Sequence, residues 1–347
     1  MRQHAAFAIL AVLFILPGLT YAIDDLPPSF DEVISLLQLD PSVKRRALAG
    51  EIVMLDPDDS MDRELAIALV AVIKRPYNEV IRAVKGDRLF QFNQFILDFA
   101  QIEGAPDVSK LQELGYTATE ANEVKALLAA EPGEQFNLSA EEIARFQQLR
   151  GKTEGLDDAA LIATVNNELR AFLAERLQRY QEIGLDGIAA YQRSPDDTTS
   201  PVEELNAATL AMEDMKRSAP NFYRILQKFP DARVQEVEHR FYVFKLNIDE
   251  RPGFVLSHRI YFFGAKFALL AERHIYAPHF YNSLQLVAGV IPHENSSVVF
   301  YGNRTYTDQV AGFGSSMKHS VGGEQLAMGV KALITDIRAG LESGKAK

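Results

Sequence analysis

The stretch VQEVEHRFYVFKLNIDERPGFVLSHRIYFFGAKFALLAERHIYAP, residues 234–278, decides the fold. From Val234 onward the hydrophobic period falls from about 3.6 residues to about 2, the signature of a strand with two unlike faces. Aromatic and β-branched residues fill the runs 234–247, 254–263 and 267–276, and runs of the same kind follow at 283–291 and 297–307. Such side chains suit a pleated, half-buried surface. The turn signals IDERPG, GA, AP and PHEN stand between the runs. Five strands joined by short connections predict an antiparallel meander.

Within this region a histidine and an arginine sit beside aromatic residues three times, in EHRFYVF, SHRIYFF and ERHIYAP. Six of the seven histidines fall at positions 239, 258, 274, 279, 293 and 319, which raises a metal site on adjacent strands. Strand alternation tests that idea. If Gly264-Ala265 is a two-residue turn, Ser257 stands opposite Glu272 and Arg259 opposite Leu270. If Asn247 stands opposite Phe254, Tyr242 stands opposite Arg259. One face then holds His239, Phe241, Val243, Leu256, His258, Ile260, Phe262, Leu269, Ala271 and Ile275, and reads as core. The other holds Arg240, Tyr242, Phe244, Ser257, Arg259, Tyr261, Phe263, Glu272, His274 and Tyr276. His258 and His274 lie on opposite faces, so the repeat does not build one metal centre. The fallback ligands are His279, His293 and Glu294 in loops, and no cofactor is expected. His239 and His258 read as core histidines with hydrogen-bond partners.

The second face carries the functional expectation. Arg240, Tyr242, Arg259, Tyr261, Glu272 and His274 mix aromatic rings with guanidinium groups and one carboxylate. Arg259 and Glu272 should pair as diagonal neighbours. Rings and guanidinium groups together suit a ligand with an apolar body and an anionic or polar end. The bland alternative is that helices simply pack on this face, because a sheet with two apolar faces needs cover on both.

The N-terminus reads MRQHAAFAILAVLFILPGLTYA. A positive start, an apolar run too short to span a bilayer, a Pro-Gly break and small residues at Thr20 and Ala22 predict a signal peptide cleaved after Ala22. The expected location is bacterial and periplasmic or secreted, with no transmembrane anchor. With no cysteine the chain has no disulfide framework. Its 47% hydrophobic content is that of a globular protein, and its net charge of −11 disfavours nucleic acid as a partner.

Residues 23–195 read as helical. SFDEVISLLQLD offers Ser29 as an N-cap, and NLSAEEIARFQQL pairs Ser139 with Glu142 in a capping box. SMDRELAIALVAVIKRPYNEVIRAVKG, residues 60–86, reads as a helix kinked at Pro76. DDAALIATVNNELRAFLAERLQRYQEIG is a long amphipathic helix ended by Gly184 and Gly187. Residues 191–204 read as a surface loop, and 196–233 as a linker and helical lead-in. Residues 234–347 form the sheet, a Gly/Ser loop and a final helix over 324–341. The fold class is therefore α+β. A meander closed by a C-terminal helix resembles the helix-grip, START-like arrangement, or else a lipocalin-like barrel.

Ser315-x-x-Lys318 matches the start of a penicillin-binding signature, but no K-T-G triplet follows. G-x-S-x-G, H-E-x-x-H, Walker A and G-x-G-x-x-G patterns are absent from the sequence. The sequence thus leans away from an enzyme, toward a binding module for an amphipathic small molecule or lipid. The alternatives are a metal-dependent or acid–base enzyme using the C-terminal histidines, and an envelope structural or adaptor protein.

Overall fold

The computed structural model describes residues 29–344 apart from 134, 233 and 313. The expected signal peptide lies outside the described residues. In chain order the elements begin α1 (Phe30–Leu36), α2 (Ser42–Leu48), β1 (Val53–Leu55), β2 (Glu64–Ile73), α3 (Tyr77–Lys85) and β3 (Ile96–Ile102). They continue with α4 (Ala121–Leu128), α5 (Ala140–Lys152), α6 (Asp158–Ile183), β4 (Tyr191–Ser194), β5 (Asp197–Thr199), α7 (Pro201–Leu210), α8 (Glu213–Ser218) and α9 (Pro220–Lys228). The last part is β6 (Val237–Ile248), β7 (Arg251–Phe263), β8 (Ala268–Tyr276), β9 (Ser283–His293), β10 (Ser296–Tyr306) and α10 (Ser315–Glu342).

The architecture is α+β around a large antiparallel sheet. The expected meander β6–β7–β8–β9–β10 is its centre, but the sheet has eight strands, ordered β1-β2-β10-β9-β8-β7-β6-β3. The extra three come from the region expected to be helical. Residues 64–73 form strand β2, not the first half of a kinked helix. β2 pairs with β10 over ten residues, from Glu64 opposite Tyr306 to Ile73 opposite Ser297. Both its faces are covered, Ile67, Leu69 and Ala71 by α10 and Val70 and Val72 by α1 and α2. A strand buried on both faces loses the period-2 signature and reads like a buried helix. Pro76 does not kink a helix; it is the N-cap of α3. The stretch read as a loop at 191–204 contains the β4–β5 hairpin and the start of α7. No ladder joins β1 to β3 among the described residues, so the sheet is open and the lipocalin-like barrel is set aside.

The helical expectations hold where caps are strong. Ser29 and Ser139 both close capping boxes, with Glu32 and Glu142. α6 runs 26 residues from its Asp157 cap to Gly184. Gly184 has φ of 66°, and a Cβ there would overlap the carbonyl oxygen of Phe229, so glycine is required to end the helix in that place. α6 packs Val165, Leu169, Phe172 and Leu177 against Val243, Phe254, Leu256 and Ile275 on one face of the sheet. α10 closes the other face with Val330 and Ile334. It starts at Ser315, earlier than expected, and absorbs the Gly/Ser segment.

Candidate functional site

The observed registers differ from the expected ones by two residues. Asp249 and Glu250 form a two-residue turn, both with positive φ, and Ile248 stands opposite Arg251. This is the geometry of a type I′ hairpin. It moves Pro252 and Gly253 from the loop into β7, and Arg240, not Tyr242, stands opposite Arg259. At the next turn Phe263 stands opposite Ala268, so Arg259 faces Glu272 directly. A shift of two preserves side-chain parity, and the two faces stay as alternation assigned them. The exception is Tyr276. A bulge puts Ser257 opposite His274 but Leu256 opposite Tyr276. Tyr276 therefore belongs with the helical layer, where the Arg176 guanidinium lies 4.6 Å from its ring centroid.

The face carrying Arg259 is closed by α10, by α3 and by the turn at 88–92. Between α10 and the sheet remains a cavity of about 460 Å³. Its walls are apolar, with Leu286, Ala288 and Val290 below and Leu326, Val330 and Leu333 above. Arg259, Glu272 and His274 enter this lining from the sheet. Arg259 Nη2 donates to Glu272 Oε2 at 2.7 Å, and the Ser257 hydroxyl donates to Oε1 at 2.7 Å. His274 Nε2 lies 3.2 Å from the same Oε1, and its Nδ1 lies 2.8 Å from the Tyr281 hydroxyl. Burial would raise the Glu272 carboxyl, but the Arg259 charge and the His274 and Ser257 hydrogen bonds outweigh it and hold the group down at about 2. Glu272 is thus ionised and neutralises Arg259. Both ring nitrogens of His274 are engaged within the protein, which fixes the imidazole instead of presenting a free base.

Arg240, Tyr242 and Tyr261 share the face but lie outside the cavity lining. Asp87 gathers two of them: it accepts from Arg240 Nη1 at 3.2 Å and from the Tyr242 hydroxyl at 2.9 Å. Phe90 packs edge-on to Tyr242 and Phe244, with ring centroids 5.4 and 5.0 Å away. The Arg259 guanidinium lies 4.3 Å from the Phe90 ring centroid, and that of Arg240 lies 4.9 Å from the Tyr261 ring. This end of the face is packed, as the bland alternative expected. The middle, at Arg259, opens onto the cavity. Arg259 and Tyr261 interact with each other there, though Arg259 Nε and the Tyr261 hydroxyl form no well-aligned hydrogen bond among the described residues.

On the opposite face His258 is fully buried. Its Nδ1 lies 2.8 Å from the Tyr180 hydroxyl and its Nε2 2.9 Å from His239 Nδ1. Burial, with the charges of His239 and Arg273, holds the His258 imidazole well below its ordinary value, so it is neutral. Both histidines are thus hydrogen-bonded, His258 in the core and His239 half-buried beside it. His279 and His293 stand near opposite ends of β9, a strand of eleven residues and on the order of 30 Å. They cannot join Glu294 around one ion. Among the described residues no group of three or more His, Cys, Asp or Glu side chains is placed to hold a metal. No described helix is long and apolar enough to cross a membrane.

Sequence reasoning missed Gly329. It sits in the middle of α10, exposed at the rim of the cavity, and a Cβ there would meet nothing within 4 Å. A glycine inside an amphipathic helix is the signal that could have marked it. No family model and no curated protein matches the chain. Among solved structures, the di-domain ARO/CYC StfQ from the steffimycin biosynthetic pathway aligns over 81% of this chain and 99% of its own. Identity is 12% and the TM-score 0.25, too low to carry an argument about fold or function.

Proposed function

We propose that the protein is a non-enzymatic binding module that holds an amphipathic small molecule or lipid between its sheet and α10. The observation that supports this is the cavity itself, a hollow of about 460 Å³ with apolar walls and one short polar row. Its size falls in the range of small-molecule pockets, about 300–1,000 Å³. The closure of an antiparallel sheet by a long C-terminal helix resembles the expected helix-grip arrangement, with the cavity between helix and sheet. Arg259 and Glu272 cancel, so an anionic end would meet a fixed carboxylate as well as a cation. A neutral polar end, a hydroxyl or carbonyl oxygen, fits better beside this neutralised pair. With the signal peptide expected at residues 1–22, the reading is of an exported carrier.

The test is solvent extraction of the purified full-length protein followed by mass spectrometry. A small molecule at near-equimolar amount is expected. Ala288→Phe, which places a ring on the cavity floor, should lower its retention about tenfold or more while the melting temperature holds. An empty extract from the wild-type protein, or equal retention by the folded variant, would overturn the proposal.

A further inference from the structure

A second hollow, of about 550 Å³, lies on the opposite face of the sheet, between strands β2 and β8–β10 and the helices α1 and α8. Its floor contains Gly289 in β9 and Gly302 in β10, both in the middle of their strands. Gly289 stands opposite Phe300, and Gly302 opposite Val287, so the two are diagonal neighbours on one face. Neither has a positive φ and neither makes a turn. A Cβ on Gly302 would meet nothing within 4 Å, and one on Gly289 only Leu269 Cδ2 at 3.7 Å.

Glycine inside a strand weakens it, and commonly marks a point where another backbone or a ligand comes close. No other backbone comes close to these two. Conformation and packing therefore leave both glycines unexplained, and a ligand lying on the floor explains both. The walls are Leu36 and Leu37 from α1, Met212 and Met215 from α8, and Val287 and Phe300 from the sheet. Methionine adapts its shape to an irregular apolar occupant. The charged lining residues are Asp56, Asp214 and Arg304. Arg304 is already paired with Glu64 at 2.7 Å and Asp214 with Arg217. The surplus charge is acidic, which disfavours a carboxylate or phosphate head.

We propose that this hollow is a second, separate binding site, and that it takes an uncharged, hydrocarbon-rich molecule. The site shares no wall helix with the cavity under α10, so it stands or falls independently of that one.

The experiment titrates solvent-extracted full-length protein with N-phenyl-1-naphthylamine, an uncharged probe that fluoresces in apolar surroundings, and reads stoichiometry. Wild type should bind two equivalents, Gly302→Leu one, Ala288→Phe one, and the double variant none. Because Gly302→Leu fills open space, the melting temperature of the ligand-free protein should rise, by about 2 °C or more. If Gly302→Leu does not fold, Met215→Trp fills the same hollow from the α8 wall and should also remove one equivalent. One wild-type equivalent that Ala288→Phe abolishes and Gly302→Leu spares would refute this second site and leave the first standing. One equivalent with the reverse pattern would refute the first and support the second. Binding unchanged in folded Gly302→Leu and Met215→Trp overturns the proposal.

Discussion

Arg259→Met isolates the polar row on the cavity floor. The change keeps an unbranched stem over Phe90 but removes the cation, and Glu272 stays 3% exposed. At an effective dielectric of about 20, two unit charges about 4 Å apart attract by about 4 kcal/mol. Removing one partner of a buried pair costs about 3–5 kcal/mol, because the other charge is left uncompensated. Ser257 and His274 remain as donors to Glu272 and soften this, so the lower part of that range, about 3 kcal/mol, is expected at pH 7. The cost depends on pH in a direction the pair fixes. In the wild type the Glu272 carboxyl lies at about 2, below its ordinary 4.5. Its stabilisation is therefore complete above pH 4.5 and is lost as pH falls toward 2. Without Arg259, burial dominates and Glu272 takes up a proton at a higher pH. The penalty of Arg259→Met should then shrink when urea unfolding is repeated at pH 4. Glu272→Gln alone leaves a buried cation and should also destabilise. The double variant should recover most of the loss, giving a coupling of about 2 kcal/mol or more in the cycle. A single-variant loss under about 1 kcal/mol at pH 7, a loss unchanged at pH 4, or additive single variants would each show that the pair does not act as a buried unit.

Two further outcomes follow from groups outside the cavity. His258→Phe removes the hydrogen bonds from His258 to the buried Tyr180 hydroxyl and to His239, which should cost about 1–3 kcal/mol by chemical denaturation. Adding Tyr180→Phe should return part of that loss, and a fully additive double variant would contradict the contact. Glu204 is buried, and burial, opposed by hydrogen bonds from Asn282 and Ser283, raises its carboxyl to about 7 from 4.5. A raised carboxyl stabilises fully below pH 4.5 and ceases to do so as pH rises through 7. Glu204→Gln should flatten the fall in stability between pH 5 and 8, a fall on the order of 3 kcal/mol. A variant with the wild-type slope would sink that assignment.

The placement of side chains on the two faces was legible because it depends on parity alone. Both hairpin registers were misjudged, yet each error was of two residues, and Arg259 still met Glu272. Tyr276 escaped because a bulge changes parity and leaves no mark that composition can show. The turn at Asp249-Glu250 escaped because two acidic residues adopt the positive φ that glycine or asparagine would have advertised. The strand β2 escaped because burial on both faces erases alternation.

The candidate site divides for a different reason. Six residues share a face, but three line a cavity and three are packed, and nothing on their own strands distinguishes them. The difference comes from sequence-distant cover. Asp87 and Phe90, some 150 residues upstream, bind Arg240 and Tyr242 at one end of the face. Over the middle lies α10, whose Leu326, Val330 and Leu333 stand off from the floor and leave the hollow. A large residue on the floor at Ala288 would fill it as Phe90 fills the neighbouring end. The binding capacity of the face is thus set less by the aromatic–arginine row than by what the covering layer omits. The same logic applies on the other side of the sheet, where Gly289 and Gly302 withhold side chains from the floor itself. Substitutions at Ala288, Gly289 and Gly302 should therefore control occupancy more strongly than conservative changes in the polar row, which serve orientation and stability.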